Sequence, residues 1–209
     1  MRALVLLLAC STAYAGNELS IGSSNRALRS SSADAVTGDS LTGGQLGFAH
    51  QLHVDLPDVA VWVTGSLWWG GAKGTMLDLA TDLGQSAYLV GGRARYAILP
   101  HLAACAGVQV GLAHTSLALT DSMDRRVSDT GWGGIAQGAL GLDLLAVDQP
   151  RFSLGVRLEL GYVAAGSVAL AGKASHPDDG TLRLQEMQAG LGRLDLSGPY
   201  AGVSVMSDF

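Results

Sequence analysis

The chain has 209 residues, of which 48% are hydrophobic and only 15% are charged. Its formal net charge of −5 and the absence of a cluster of basic residues argue against nucleic acid as a partner. After the N-terminus there is no run of about 18 consecutive apolar residues, which excludes a helix that crosses a membrane.

The first residues have the pattern of a secretory signal peptide. Arg2 is the basic start, residues 3–9 form the apolar centre, and an Ala-Tyr-Ala sequence ending at Ala15 supplies the cleavage site. Lipidation of Cys10 is an alternative, because this cysteine ends a sequence that resembles a lipobox. We favour cleavage after Ala15, which leaves residues 16–209 as a single exported domain.

That domain keeps one cysteine, Cys105, so we expect no disulfide within the chain. The spacing of His and Cys residues matches no zinc site, and the acidic residues match no defined calcium loop. We therefore expect neither a metal nor a cofactor.

Alternation of apolar and polar residues predicts strands, because successive side chains of a strand point to opposite faces. Eight such segments occur in chain order, at 18–26, 41–56, 59–69, 86–98, 102–112, 131–145, 151–165 and 198–209. The seventh is the clearest, since Arg157 and Glu159 alternate with an unbroken series of apolar residues. That series is Phe152, Leu154, Val156, Leu158, Leu160 and Tyr162.

Short and long connections alternate between these strands. Tight turns are predicted at 56–58, 99–101 and 148–150, and long connections at 27–40, 70–85, 114–130 and 166–197. Outer-membrane barrels have an even number of strands, short turns at one end and long loops at the other. The pattern therefore predicts an all-β fold, an eight-stranded antiparallel up-and-down transmembrane barrel with short periplasmic turns and long extracellular loops.

A soluble sandwich or lipocalin-like barrel is the alternative that the same alternation allows. Its apolar face would form the core and its other face would meet water. Here the second face carries mainly Gly, Ala, Ser and Gln, whereas a water-exposed face favours charged residues. We therefore prefer the membrane barrel, with the apolar series of the seventh strand facing lipid. Accordingly, Leu158→Arg should cost about 2–4 kcal/mol and Arg157→Ala should be milder.

Charged residues of both signs lie within the predicted polar faces. They are Arg93, Arg95, Asp143, Arg157 and Glu159. Because buried charges need partners, we expect the two arginines of the fourth strand to reach Glu159, Asp143 or Asp55 across the lumen. Folding the hairpin about its turn predicts Arg95 opposite Ala103. An eight-stranded lumen is filled by side chains, so we interpret this network as a structural plug rather than a conducting path.

The last residues, 197–209, form an alternating strand that ends on Phe209. This segment resembles the final strand of Gram-negative outer-membrane barrels, in which a terminal Phe is part of the assembly signal. Ser207 departs from that pattern, since such strands often carry a large apolar residue there. With the signal peptide and the hairpins, the chain resembles the OmpA transmembrane-domain and OmpW-like group of small eight-stranded barrels. The resemblance implies location in the outer membrane, with lipid, lipopolysaccharide and the barrel-assembly machinery as partners.

A second resemblance concerns His114 and Ser116. Their His-x-Ser spacing is similar to the catalytic pair of outer-membrane lipid A deacylases, which implies His as base, Ser as nucleophile and Asp121 or Asp124 as supporting acid. In that family, however, the pair lies near the end of the chain. We therefore expect no enzymatic activity and keep the deacylase as an alternative.

The sequence as a whole predicts a monomeric barrel of structural or interaction type, which anchors four surface loops that meet an extracellular ligand. A transporter of small hydrophobic compounds is a further alternative. The tryptophans are expected near the membrane interface, where indole rings are favoured, rather than around a ligand. They are Trp62, Trp68, Trp69 and Trp132.

Overall fold

The computed structural model describes residues 16–29, 39–54, 56, 58–76, 79–121, 126–149, 152–171, 173–174 and 190–209. The predicted signal peptide, Cys10, Asp55 and Asp124 lie outside the described residues. No helix in this part of the chain is long and apolar enough to cross a membrane.

Eight strands form one sheet that closes on itself, and three short strands accompany it in the described residues. The strands are β1 (Asn17–Ala27), β2 (Ser40–Leu52), β3 (Val59–Met76), β4 (Leu79–Leu99), β5 (Leu102–Thr120), β6 (Arg126–Gln149), β7 (Phe152–Ala165), β8 (Val168–Ala171), β9 (Lys173–Ala174), β10 (Gly190–Leu194) and β11 (Gly198–Asp208). Strands β1 to β7 pair antiparallel in chain order, and β11 pairs with both β7 and β1 to complete the ring. The predicted fold class is therefore confirmed, and the closed ring leaves no free sheet edge.

The ring closes with a stagger along the strands. Starting at Arg26, one can step to its paired residue on β11 and then from strand to strand around the ring as far as β2. The last pairing returns to the first strand at Gly16, ten residues before Arg26. For strands about 4.8 Å apart, this offset gives a strand tilt of roughly 40° and a backbone radius of about 8 Å. Inward side chains are long enough to fill a ring of this size.

The strands extend further from the chain termini than the sequence predicts. β3 and β4 stay paired as far as Met76 and Leu79, and β5 and β6 stay paired as far as Thr120 and Arg126. The second and third predicted long connections are therefore largely strand. Their glycines and polar residues suggested loops, but the backbone pairs there in unbroken register.

Buried apolar side chains explain this extension. The end of the barrel away from the termini is filled by an apolar cluster, whose members are Leu41, Trp68, Leu83, Ala87, Leu89, Ala113, Leu117, Ile135, Val163, Val168, Leu170, Leu194, Leu196 and Tyr200. Part of the cluster comes from β8 and β10, which pair antiparallel within the fourth predicted connection. Val168 packs against Gly131 and Gly133 on the inward face of β6. This short hairpin thus contributes to closing the far end of the lumen.

An aromatic ring packs against one interior glycine, Gly161. An ideal Cβ on Gly161 would lie 2.6 Å from Cε1 of Tyr200, a buried ring on the neighbouring strand. The Tyr200 hydroxyl accepts a hydrogen bond of 2.5 Å from Nε2 of Gln137 on β6. The missing side chain at Gly161 therefore allows Tyr200 to lie against β7 and reach across to Gln137.

We predict that Gly161→Ala lowers the free energy of unfolding by about 1–3 kcal/mol, because the added Cβ presses on the backbone carbonyl oxygen of Gly138 and on the Tyr200 ring, and both must move within a packed interior. Gly138→Ala is the matched control, since an added Cβ there meets nothing within 4 Å. Its effect should stay below about 0.5 kcal/mol. Urea unfolding followed by tryptophan fluorescence measures both variants, and equal losses would contradict this packing role.

Candidate functional site in the lumen

A chain of alternating charges crosses the lumen at the end that holds the termini. In order of contact, it consists of Arg93, Glu18, Arg157, Asp143, Arg95 and Asp208. Three guanidinium groups and three carboxylates make this ion-pair chain neutral overall. Neutrality matters because an uncompensated charge in a closed interior costs several kcal/mol.

Arg157 is the centre of the ion-pair chain. Its Nη1 and Nη2 donate to the two carboxylate oxygens of Glu18 at 2.7 and 2.9 Å. Its Nε and Nη2 donate to the two oxygens of Asp143 at 2.7 and 2.9 Å. All three residues are at most 2% exposed. Paired bonds of this kind fix the guanidinium plane between the two acids and are stronger than neutral hydrogen bonds.

The outer members attach to both ends of this centre. Arg93 donates to Glu18 at 3.0 and 2.6 Å and lies over the Trp62 ring, 5.6 Å from its centroid. At the other end, Nε of Arg95 lies 3.2 Å from Asp143, and its Nη1 lies 3.0 Å from Asp208. The network thus ties β4, β6 and β7 to the first and last strands of the ring.

The structure brings four of the five predicted lumen charges into contact. The fifth, Glu159, faces the same lumen, but within the described residues it makes no ion pair and lies with Gln45 in the wall of a polar cavity. Glu18 and Asp208 were missed by the sequence analysis. Strand parity was the available signal, because Glu18 alternates with the small inward residues of β1 and Asp208 does so in β11.

The predicted hairpin register is wrong by two residues. Arg95 pairs with Cys105, not with Ala103. The prediction placed the turn on Leu99, whereas the two strands meet at Leu99 and Leu102 and enclose a two-residue turn, with a register shift between Ala97 and Leu99. Ala103 and Cys105 point to the same face of β5, since they are two residues apart. The error therefore does not change the prediction that Arg95 points inwards.

A polar cavity of about 80 Å³ lies next to the ion-pair chain, towards the middle of the barrel. Its walls include Glu159, Gln45 and Gln137, together with Ser66 and Gln109, which hydrogen-bond to each other at 3.1 Å. This volume has room for a few water molecules, and the walls offer them hydrogen bonds. The lumen is therefore polar in its middle as well as at the terminal end.

Two tryptophans lie inside the barrel rather than at its surface. Trp62 and Trp68 are 3% and 5% exposed, so their predicted interfacial position is wrong. The Trp68 ring lies 5.0 Å from the guanidinium carbon of Arg26, and its Nε1 donates to Ser24 at 2.8 Å. Arg26 in turn donates to Gln85 at 2.9 Å. The parity of Trp62 and Trp68, opposite to that of the apolar residues of β3, was the signal for an inward orientation.

The predicted catalytic pair lies on the outer wall. Ser116 donates a long hydrogen bond of 3.4 Å to the Gly84 carbonyl, and the His114 ring lies 5.0 Å from the Trp132 ring. No hydrogen bond joins His114 to Ser116 in the described part of the chain, and Asp124 is outside it. The geometry therefore assembles no nucleophile and base here, and among the described residues no group of three His, Cys, Asp or Glu side chains is placed to hold a metal ion.

The apolar series of β7 faces outwards along its whole length. The exposed fractions of these side chains range from 36% at Val156 to 69% at Leu160. Phe209, the terminal residue, is 53% exposed, and its backbone exchanges two hydrogen bonds of 2.8 Å with Asn17. An eight-stranded ring with an apolar outer surface and a charged interior has the architecture of a small outer-membrane β-barrel.

The chain is similar in extent to several solved structures. Ail, the attachment invasion locus protein of Yersinia pestis, is 13% identical over 93% of this chain and 98% of its own, with a TM-score of 0.45. Neisserial surface protein A is 11% identical over 93% and 94%, and a major outer membrane protein from Thermus thermophilus is 11% identical over 91% and 99%, both with a TM-score of 0.45. No family model and no curated protein matches the chain. These similarities say nothing about what this chain binds.

The contacts of Arg157 change the expectation for its removal. Arg157→Ala would leave two buried carboxylates without their central partner, so we expect a loss of about 3–5 kcal/mol rather than a mild effect.

We predict that Glu18→Gln lowers the free energy of unfolding by about 3–5 kcal/mol, because this acid compensates both Arg93 and Arg157. Glu159→Gln is the control, with the same chemical change in the same lumen but no ion pair to break. Its effect should be below about 1 kcal/mol. Urea titration of both variants measures the difference, and a loss at Glu159 as large as that at Glu18 would show that the ion-pair chain is not what distinguishes them.

Proposed function

We propose that this chain spans the outer membrane as a closed, non-conducting barrel of structural or interaction type. The observation that carries the proposal is the inverted distribution of its side chains. Large apolar residues are exposed on the outer face of every strand of the ring, for example Ile21, Leu46, Val63, Val90, Val110, Leu140, Leu160 and Val205. In water an exposed apolar surface of this extent would drive aggregation, whereas in a bilayer it is the surface that lipid tails require.

The dimensions of the apolar belt support the same proposal. On β7 the belt runs from Phe152 to Tyr162, so that an aromatic ring lies at each end. Ten steps along a strand cover about 33 Å, and a tilt of roughly 40° reduces this to a height of about 25 Å. The apolar band of outer-membrane barrels has a height of about 25 Å.

The remaining parts of the proposal concern export, partners and exposure. Cleavage after Ala15 would release the domain for export, and Phe209 would serve the barrel-assembly machinery as its recognition signal. Lipid and lipopolysaccharide would surround a monomeric barrel, whose four connections at the far end face the outside and would meet an extracellular ligand. Neither the deacylase nor the transporter of hydrophobic compounds is favoured by a specific contact.

We predict that Leu158→Arg costs about 2–4 kcal/mol, because it places a charge on the lipid-facing belt. Thr130→Arg introduces the same side chain at an exposed outward position beyond the belt and should cost about 0–1 kcal/mol. The measurement is the fraction of protein in the outer-membrane fraction that shows heat-modifiable gel mobility. A soluble protein without heat-modifiable mobility, or equal behaviour of the two variants, would refute the membrane barrel.

We also predict that the barrel gives no steady conductance in planar bilayers. The ion-pair chain closes one end of the lumen and the apolar cluster fills the other. For this reason Arg93→Ala, which weakens only the first closure, should remain silent as well. A steady current in the wild type that Arg93→Ala abolishes would identify the lumen as a conducting path.

A further inference from the structure

The outer surface changes from apolar to polar along one row of paired residues, which we term the boundary row. It consists of Trp69, Ser86, His114 and Trp132 on four neighbouring strands. Towards the termini, the next outward pair is Tyr88 and Leu112, which are exposed and apolar. Away from the termini, the next outward residues are Gly84, Ser116 and Thr130. Because the strands are tilted by roughly 40°, the row is not level in the proposed membrane orientation. It slopes by about 9 Å, from the edge of the lipid tails at Trp69 up through the headgroup region to Trp132.

A groove opens on the outer wall at the boundary row. It is lined by Ser86, His114 and Ser116, by Trp69 at one side and by two glycines. The Trp69 ring lies over Gly44 on β2, where an ideal Cβ would come 2.9 Å from the ring, so the ring leaves the β4 side open. The opposite side is bounded by the aromatic contact between His114 and Trp132.

The groove presents hydrogen-bond donors that the protein does not satisfy. Within the described residues, neither the Ser86 hydroxyl nor the ring nitrogens of His114 hydrogen-bond to another group of the chain. Ser116 makes only the long bond to Gly84. On a wall covered by lipid, polar groups without partners are costly, and the surrounding lipid must supply the acceptors.

We propose that this groove binds the phosphate-bearing headgroup of a membrane lipid, whose acyl chains lie along the apolar belt below it. Phosphate oxygens are strong acceptors for the two serine hydroxyls and for the imidazole N–H. The exposed rings of Trp69 and Trp132 flank the headgroup at the depth where indole rings are favoured. The proposal rests on the membrane location argued above, and it commits to lipid as the occupant because the groove continues into the lipid-facing surface.

The test uses the full-length barrel reconstituted in galactolipid vesicles that contain a minority of phosphatidylglycerol, the only lipid in the mixture with a phosphate. Native mass spectrometry counts the lipids that remain on the barrel after gentle extraction. We expect the wild type to retain phosphatidylglycerol in preference to galactolipid. The double variant Ser86→Val/His114→Leu should retain it roughly tenfold less well, the change expected for the loss of one charge-assisted hydrogen bond.

Ser23→Val controls for the loss of an outward serine hydroxyl elsewhere on the wall. Ser23 lies on β1 and faces outwards away from the groove. Because rows of paired residues slope with the strand tilt, it also lies closer to the termini than the groove does. This variant should retain lipid as the wild type does.

Heat-modifiable mobility of each reconstituted sample distinguishes the two levels of the proposal. A barrel that inserts but retains both lipids equally, or whose double variant retains phosphatidylglycerol as well as the wild type does, overturns the lipid site and leaves the membrane location standing. A dimer that the double variant disrupts would make the groove a contact between copies, which also overturns it. A chain that fails to insert overturns the proposed function itself.

Discussion

The narrowness of the closed ring is the constraint on which the rest of the structure depends. Eight strands with this stagger enclose too little space for bulk water, so each inward side chain must find its partner inside the protein. The interior meets this demand in three successive ways. Ion pairs fill the terminal end, a small polar cavity occupies the middle, and apolar side chains fill the far end. Each solution suits the residues that the strands present at that level.

The outer surface follows from a different solvent. Where the wall is apolar, lipid replaces water as the surroundings, and the polar groups of the backbone are already paired around the ring. Where the wall turns polar, at the boundary row, side-chain donors need acceptors from outside the protein. The same strand can therefore carry leucines and an exposed histidine on one face, because its environment changes along its length.

Strand parity was sufficient to predict the fold and the faces of the ring. It assigned Arg93 and Arg157 to the interior and Leu158 to the outside before any contact was known. The strand ends were harder, because the glycines and polar residues of 70–85 resemble loop composition, and only the burial of Leu83 inside the lumen explains why the sheet continues there. Aromatic composition also misled, since indole rings suit a membrane interface and a cation equally well. The Trp68 ring packs against the cation of Arg26, and this contact joins residues that are distant in sequence.

The ion-pair partners within the lumen could not be predicted from the sequence, because they too are distant in the chain. One of the two acids that compensate Arg157 is Glu18, which is 139 residues away in the chain, and a register error of two residues is enough to hide such a contact. Glu159 was predicted as one possible partner of Arg93 and Arg95 and lies on the correct face, yet these arginines pair with Glu18, Asp143 and Asp208 in the described residues. Strand parity determines whether a side chain points inwards or outwards, but the stagger of the whole ring determines which side chains it contacts.

The distribution of the lumen charges along the chain has a consequence for how the barrel forms. The middle strands β4 to β7 contribute three arginines but only one acid to the ion-pair chain, and the two other acids arrive on β1 and β11. Glu159 on β7 faces the same part of the lumen outside the ion-pair chain, so a sheet of the middle hairpins alone would carry an excess of one positive charge there. The ion-pair chain becomes neutral only when the first and last strands join, so the seam between the two ends of the chain is also the step that makes assembly cooperative. An incomplete barrel therefore has uncompensated inward charge, and opening the complete barrel at this seam would separate its ion pairs.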